Sequence, residues 1–203
     1  MMILRSSEPS PFARKVRIAI LLLGFDKDVT IEPADTADLN DSVRKQNPLG
    51  KIPALIVEDG TCYYDSRVIL DYLDDRAGGG KIVPRDAKAR LVAERMQALC
   101  DGILDASILT LYEGRWRQPD KHEPKWLEHQ GGKIRRAFAA LEANPPAPAG
   151  AMPDVGQITL ACALGYHDLR FAGSWRKPHP HLVAWLDGFA ARVPAYEATK
   201  AVI

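Results

Sequence analysis

Apolar and polar positions in the first third of the chain follow the spacings of short strands and amphipathic helices. The predicted strands cover residues 2–5, 29–32, 54–57 and 61–64, and the predicted helices cover residues 11–24 and 65–77. The last two strands form a hairpin across the turn at 58–60, whereas residues 33–47 are polar and irregular, with about one helical turn. This order predicts an α/β domain built on one mixed four-stranded sheet.

Residues suited to helix ends flank the first predicted helix. Ser10 is a favoured N-cap residue, and Pro11 suits the first helical position because its missing N–H would be unpaired there. Gly24 can adopt the left-handed conformation that ends many helices. Phe12 is the first of several apolar residues at helical spacing. We therefore expect a helix that begins directly after a serine hydroxyl and buries an apolar face.

A run of glycines at 78–80, followed by Pro84, is the strongest break in the pattern. It predicts a division into an α/β domain at 1–77, a linker at 78–86 and an all-helical domain at 87–203. Helices of the second domain are predicted at 87–117, 124–143, 155–171 and 180–192. Asp154 and Gln157 have the spacing of a capping box at the start of the third of these helices.

Composition and charge narrow the class of protein. Apolar residues make up 46% and charged residues 26% of the chain, as in an ordinary globular protein. Lys and Arg (27) nearly balance Asp and Glu (26), so no large net field attracts nucleic acid. The apolar stretch at 18–24 is far shorter than the roughly 20 residues that span a bilayer, and the first residues lack signal-peptide features. We expect a cytoplasmic protein without nucleic-acid or membrane partners.

Cysteine and histidine residues do not form a metal-binding pattern. Cys62, Cys100 and Cys162 are widely spaced, and the five histidines have no ligand spacing. We predict reduced, mostly structural cysteines and no metal site. Arg135, Arg136 and the isolated arginines elsewhere are predicted to lie on solvated helix faces.

Two helix starts carry candidate binding chemistry. At Ser10, a thiolate or carboxylate would receive both the hydroxyl proton and the positive end of the helix dipole, although a plain N-cap is the simpler interpretation. Asp65 and Ser66 open the next predicted helix, where the first amides could hold a ligand carboxylate. Capping alone would also explain Asp65.

A proline-rich bend leads into the third predicted strand. It contains Lys51, Ile52 and Pro53, and a cis bond before Pro53 would let the Ile52 N–H and C=O pair with a peptide-like ligand. The general frequencies of proline isomers favour an ordinary trans strand entry instead. The residues alone therefore leave both interpretations open.

The joint order of these segments resembles the glutathione S-transferase family, in its serine-type, bacterial-like form. The likeness covers the whole chain and implies a thioredoxin-like N-terminal domain, a helical C-terminal domain and glutathione as co-substrate. It implies that Ser10 activates the glutathione thiol, and that the backbone of Ile52, before a cis Pro53, pairs with the cysteinyl part. Asp65 and Ser66 match a pair, more often Glu-Ser, that holds the γ-glutamyl end.

Further contacts and an activity follow from the same resemblance. Lys51 would pair with the glycyl carboxylate and Phe12 would line the ligand floor, with surface solvation and inward packing as their alternatives. Tyr112, Trp116 and Tyr166 are candidates for an electrophile pocket, or for core packing. The implied activity is detoxifying transfer of glutathione to a small electrophile by a homodimer. The alternatives are a glutathione-dependent isomerase or lyase, and a non-catalytic glutathione-binding regulatory protein.

Overall fold

The computed structural model describes residues 1–201, and its elements lie close to the predicted bounds. The strands are β1 (Met2–Ser6), β2 (Val29–Pro33), β3 (Ala54–Ile56) and β4 (Cys62–Tyr63). The helices are α1 (Pro11–Leu23), α2 (Val43–Gln46), α3 (Ser66–Arg76), α4 (Ala87–Trp116), α5 (Pro124–Ala143), α6 (Val155–Arg170), α7 (Pro180–Arg192) and α8 (Pro194–Ala198). The sequence analysis did not predict α8, or the single 3-10 turn at Pro119–Lys121. None of the helices within residues 1–201 has the length and apolar character needed to cross a bilayer.

The four strands form one mixed sheet, as predicted. Their order is β2-β1-β3-β4, with β1 parallel to β2 and antiparallel to β3. The β1–α1–β2 crossover accounts for the parallel pair, and the β3–β4 hairpin adds the far edge. Leu4 pairs with Leu55 across the sheet, and both side chains are fully buried. Strands β1 to β4 and helices α1 to α3 are called here the sheet-bearing half, and α4 to α8 the helical half.

Side-chain caps fix the starts of the helices that the sequence predicts, with the exception of α7. The Ala13 N–H donates to Ser10 Oγ at 3.2 Å, and the Arg67 N–H donates to Asp65 Oδ1 at 3.0 Å. At α6, Asp154 and Gln157 make both hydrogen bonds of the capping box. The capping box is therefore confirmed, and each cap satisfies a backbone group that a helix start leaves unpaired.

Helix α1 is buried between the two halves of the molecule. It packs against α3 on one side and against α6 and α8 on the other. Lys15 is fully buried, and its Nζ donates to Asp101 Oδ1 of α4 at 2.6 Å. Arg14 is 7% exposed, and its Nη2 donates to the carbonyl of Tyr196 in α8 at 2.7 Å. Because a buried cation needs a compensating partner, these bonds fix α1 against the helical half.

The expectation that the isolated arginines lie on solvated helix faces is wrong for Arg14 of α1, described above, and for Arg5. The Arg5 side chain is only 6% exposed, beneath the segment that follows β2. The guanidinium donates to Ser42 Oγ at 2.6 Å, to Gln46 Oε1 at 2.8 Å and to Asp41 Oδ1 at 3.0 Å. Arg5 therefore holds the polar 33–47 segment and the short helix α2 onto the sheet.

The segment between α3 and α4 is bound to the sheet-bearing half through one carboxylate. Asp74, which is 3% exposed, accepts backbone N–H bonds from Gly80, Lys81 and Ile82 at 2.7 to 2.9 Å. The Ile82 carbonyl in turn accepts the Val155 N–H of α6 at 2.9 Å. The domain boundary at 78–86 stays a prediction, but this segment is tied to both halves.

Breaking the ion pair between α1 and α4 should destabilise the protein strongly. We expect Lys15→Met to lower the free energy of unfolding by about 3–5 kcal/mol, because it leaves the Asp101 carboxylate buried without its partner. The double variant Lys15→Met/Asp101→Leu should recover most of that loss, since it removes both charges. Urea unfolding of the single and double variants checks this; equal losses in the two would contradict it.

His167 of α6 is buried in the core of the helical half. It is 4% exposed, its ring lies 4.9 Å from that of Phe138 and 4.6 Å from that of Phe171, and its Nε2 is 2.7 Å from Ser107 Oγ. Burial lowers the pKa of His167 to about 4, because the charged imidazolium would lose its hydration. The folded protein therefore holds this histidine neutral at pH values where an unfolded chain would protonate it.

The His167 site should make the protein less stable in acid. The contribution of neutral His167 to the free energy of unfolding is fully present above pH 6.5. It decreases by about 3 kcal/mol in total as the pH falls from 6.5 to 4. We expect His167→Gln to flatten this part of the pH profile, whereas His129→Gln, at an exposed position, should not. Urea unfolding at a series of pH values measures both; parallel profiles for wild type and His167→Gln would count against the assignment.

Candidate functional site

A cleft of about 220 Å³ lies between the start of α3 and the middle of α4; we name it the α3–α4 cleft. It is lined by Phe12, Lys51, Ile52, Pro53, Asp65, Ser66, Arg67, Ala98, Asp101, Gly102 and Asp105. All the predicted glutathione-binding residues except Ser10 are in this set. The structure thus brings together side chains from three separate segments of the sheet-bearing half.

The bend before β3 presents an unpaired stretch of backbone to the cleft. The Ile52–Pro53 bond is cis, as the family resemblance implies. Neither the N–H nor the C=O of Ile52 makes a hydrogen bond within residues 1–201. Asn47, which is 2% exposed, holds the bend by donating from Nδ2 to the Lys51 carbonyl at 2.9 Å. The sequence analysis missed this supporting role of Asn47, although an Asn before a proline is a common turn signal.

The start of α3 offers a second set of hydrogen-bonding groups. Ser66 is the first residue of α3 and is 2% exposed, and its hydroxyl has no partner in the described part of the chain. Asp65 accepts from Arg67 Nη2 at 3.1 Å as well as from the Arg67 backbone. Burial acts to raise the pKa of Asp65, but the hydrogen bonds from Arg67 outweigh it and lower that pKa. Asp65 is thus an anion, and Ser66 stands at a helix N-terminus that favours a carboxylate.

The opposite wall of the cleft comes from α4 and is acidic. Asp101 and Asp105 both line it, and Asp101 is the partner of the buried Lys15. Burial raises the pKa of Asp101, although the neighbouring Lys15 acts in the opposite direction. With Lys51 and Arg67 on the facing wall, the cleft carries charges of both signs at short range. Such a surface suits a peptide that has both an ammonium and carboxylates.

Ser10 lines a different and larger space. A cavity of about 360 Å³, here named the α1–α6 cavity, lies between the first turn of α1 and the helices α6, α7 and α8. Ser10 borders it at the start of α1, while Phe12, two residues later, borders the α3–α4 cleft. The first turn of α1 therefore contributes a residue to each space.

One of the three residues predicted for the electrophile pocket lines the α1–α6 cavity, and the other two lie outside both spaces. Tyr166 is 7% exposed and lines the α1–α6 cavity. Tyr112 and Trp116 are 39% and 63% exposed, at the end of α4, and line neither space. Arg115 lies over both rings, with its Cζ 5.7 Å and 5.4 Å from their centroids. The predicted role of Tyr112 and Trp116 in an electrophile pocket stays a prediction.

The cysteines do not add a reactive thiol to either space. All three are free, and Cys100 and Cys162 are buried. Burial raises the pKa of Cys162 to about 11 and also raises the pKa values of Cys100 and Cys62. Each side chain therefore stays a neutral thiol at pH 7. Within residues 1–201, no group of three or more histidine, cysteine or acidic side chains could hold a metal ion.

Two family models match the chain. Residues 4–81 match the N-terminal domain of glutathione S-transferases, and residues 124–188 match the C-terminal domain. The uncharacterized GST-like protein YibF of Escherichia coli K12 is 33% identical over 196 residues, which are 92% of each chain.

Solved structures of glutathione S-transferases are similar to this chain over its full length. A glutathione transferase family member from Pseudomonas fluorescens Pf-5 with bound glutathione is 41% identical, with a TM-score of 0.91 and complete coverage of both chains. The same family member is also solved with bound S-(propanoic acid)-glutathione, at a TM-score of 0.89. A glutathione S-transferase from Methylobacillus flagellatus KT with glutathione bound is 33% identical, with a TM-score of 0.89 and complete coverage of both chains. The chain belongs to the glutathione S-transferase family, and its two halves are the thioredoxin-like and all-helical domains of that architecture.

Proposed function

We propose that this protein is a glutathione transferase that binds glutathione in the α3–α4 cleft and activates its thiol at Ser10 for attack on a small electrophile. The observation that carries the proposal is the convergence of the unpaired Ile52 backbone with the Ser66 hydroxyl in one cleft. Full-length relatives at 33% and 41% identity that bind glutathione support it.

In the proposed complex, glutathione pairs with the protein as a short added strand. The N–H and C=O of Ile52 would bond the backbone of the cysteinyl residue, which is how an extended peptide joins a sheet edge. This mode needs a backbone segment free of internal partners, and the bend at Ile52 supplies one. It fixes the cysteinyl residue beside the first turn of α1.

The charged ends of glutathione find complementary partners in the same cleft. The γ-glutamyl carboxylate would accept from Ser66 Oγ and from the first amides of α3, while Asp65 and Asp101 lie on the cleft walls for its ammonium. Lys51 would pair with the glycyl carboxylate from its exposed position. Hydrogen bonds to charged groups of this kind contribute about 1.5–3 kcal/mol each.

Ser10 would stabilise the thiolate rather than remove the proton. Its Oγ already accepts the Ala13 N–H, so its own hydrogen is free to donate to the sulfur. A free thiol with a pKa of about 8.5 is only about 3% thiolate at pH 7. Lowering that pKa by about two units requires roughly 2.7 kcal/mol, which a hydroxyl donor and a helix N-terminus can supply together.

Carbon–sulfur bond formation is the chemistry that we assign to this thiolate. The relative from Pseudomonas fluorescens Pf-5 binds S-(propanoic acid)-glutathione, in which the sulfur carries a carbon substituent. In the transferase reaction, the thiol proton passes to solvent and the sulfur lone pair forms the new bond to carbon. Either a leaving group departs from that carbon with its bonding electron pair, or a carbon–carbon double bond opens and its other carbon takes up a proton from solvent. An isomerase would instead release glutathione unchanged, and a regulatory protein would bind it without lowering the thiol pKa.

Removing the Ser10 hydroxyl should raise the pKa of bound glutathione. We expect Ser10→Ala to raise it by about one unit or more, because the sulfur loses its donor while the cleft still binds the peptide. Thiolate ultraviolet absorbance across pH, with the protein saturated in glutathione, measures the pKa. Ser7→Ala, a serine that lines neither space, is the control. An unchanged pKa in Ser10→Ala would rule out this role for Ser10.

Removing the Ser66 hydroxyl should weaken binding without changing the thiol. We expect Ser66→Ala to weaken glutathione about tenfold or more, because a bond to the γ-glutamyl carboxylate is lost. The loss should be the same for S-methylglutathione, which has no ionisable thiol. Titration calorimetry measures both ligands, with the exposed Ser174→Ala as control. Full affinity in Ser66→Ala would show that the carboxylate is held elsewhere.

A further inference from the structure

The α1–α6 cavity has a polar inner end that the proposed glutathione contacts do not use. Arg14 of α1 and Tyr196 of α8 line it and are 7% and 4% exposed. A Cβ atom on Gly165 of α6 would lie 2.7 Å from Arg14 Nη1 and 2.6 Å from Tyr196 Oη. Both polar atoms therefore meet at Gly165, where the surface of α6 lacks a side chain.

The guanidinium of Arg14 is only partly satisfied by the chain. Nη2 donates to the Tyr196 carbonyl at 2.7 Å, and Nε reaches Thr199 Oγ1 at 3.4 Å. Nη1 lies beside the neutral Tyr196 hydroxyl, and the guanidinium lies over the Tyr196 ring, with its Cζ 4.1 Å from the centroid. Within residues 1–201, no carboxylate lies within 4 Å of this side chain. A buried cation of this kind favours an anion that can approach through the cavity.

The acidic residues around the cavity do not neutralise this inner charge. Asp168 is paired with Arg176 at 2.7 Å, and Glu197 is paired with Lys200 at 3.3 Å. Glu8 and Asp187 are exposed, so water screens their charges. The unmatched positive charge is therefore at the buried end, and the negative charges are at the rim.

Tyr196 adds a second donor at the same point. Burial raises its pKa to about 12, despite the nearby Arg14, so the hydroxyl keeps its proton at neutral pH. The walls between this donor pair and Ser10 include the apolar side chains of Leu169 and Leu186. A volume of about 360 Å³ accommodates a small aromatic or aliphatic molecule.

We propose that the α1–α6 cavity holds the electrophile, and that Arg14 and Tyr196 bind a carboxylate on it. The substrate class is then small electrophiles that carry a carboxylate, with the reacting carbon directed toward Ser10. The inference rests on the proposed function, because it takes the thiolate to lie at Ser10, on the border of this cavity. It extends that function by naming the charge that the second substrate must carry.

A matched pair of aryl chlorides tests the carboxylate preference. The probes are 4-chloro-3,5-dinitrobenzoate and its primary amide, which have the same shape and differ in charge. In both, the thiolate sulfur bonds to the carbon that carries chlorine, the carbon–chlorine bond breaks, chloride leaves and the thiol proton passes to buffer. The measured quantity is the acid-to-amide ratio of kcat/KM, each value divided by the uncatalysed rate constant with glutathione.

We expect the wild-type protein to favour the acid over the amide. Arg14→Gln should lower the acid-to-amide ratio about tenfold or more, because a charge-assisted bond to the carboxylate is lost. Tyr196→Phe should lower the ratio by less, and Arg14→Lys should keep part of it. Arg135→Gln, an exposed arginine on α5, should leave it unchanged. Turnover of the amide reports whether each variant is folded. If Arg14→Gln no longer turns over the amide, the acid-to-amide ratio of Tyr196→Phe serves as the test.

The outcomes separate this inference from the proposed function. A wild-type ratio of one or below, or the same ratio in wild type, Arg14→Gln and Tyr196→Phe, would overturn the carboxylate site and leave the transferase assignment intact. A wild-type protein that binds no glutathione would remove the proposed function itself. The affinities of the two synthetic glutathione conjugates, measured by calorimetry, give the same comparison without turnover.

Discussion

The burial of helix α1 between the sheet and the helical half is the constraint on which the rest of the structure depends. An α-helix of a sheet-bearing domain ordinarily leaves one polar face in water, but here Lys15 and Arg14 are enclosed as well. The ion pair from Lys15 to Asp101 and the hydrogen bond from Arg14 to the Tyr196 carbonyl compensate for the hydration that these two cations lose on burial. Both candidate spaces border the first turn of α1, so their geometry depends on these two contacts.

The two halves contribute different kinds of chemistry to the site. The sheet-bearing half offers backbone groups and a helix start, at Ile52 and Ser66, which suit the fixed shape of a peptide. The helical half offers the acidic wall of α4 and the mixed walls of the α1–α6 cavity. In the proposed function, glutathione recognition would rest on the conformation of the main chain, whereas the choice of electrophile would depend on side chains that a fold does not specify.

Local signals in the sequence were sufficient for most of the fold. The caps at Ser10, Asp65 and Asp154 act through hydrogen bonds within four residues, so their patterns are readable along the chain. The burial of Lys15 depends on Asp101, 86 positions away, and no spacing rule connects the two. For the same reason, the sequence analysis did not anticipate that Ser10 and Phe12 would line different spaces.

A crystal structure of the protein with glutathione tests the central claim most directly, through the distance from the glutathione sulfur to Ser10 Oγ. The account predicts a peptide paired with Ile52 in the α3–α4 cleft and a sulfur within about 3.5 Å of that oxygen, at hydrogen-bond distance for a thiolate. A glutathione bound in the same cleft with its sulfur directed away from α1 would contradict the assignment of Ser10. A glutathione bound elsewhere would contradict the assignment of the cleft.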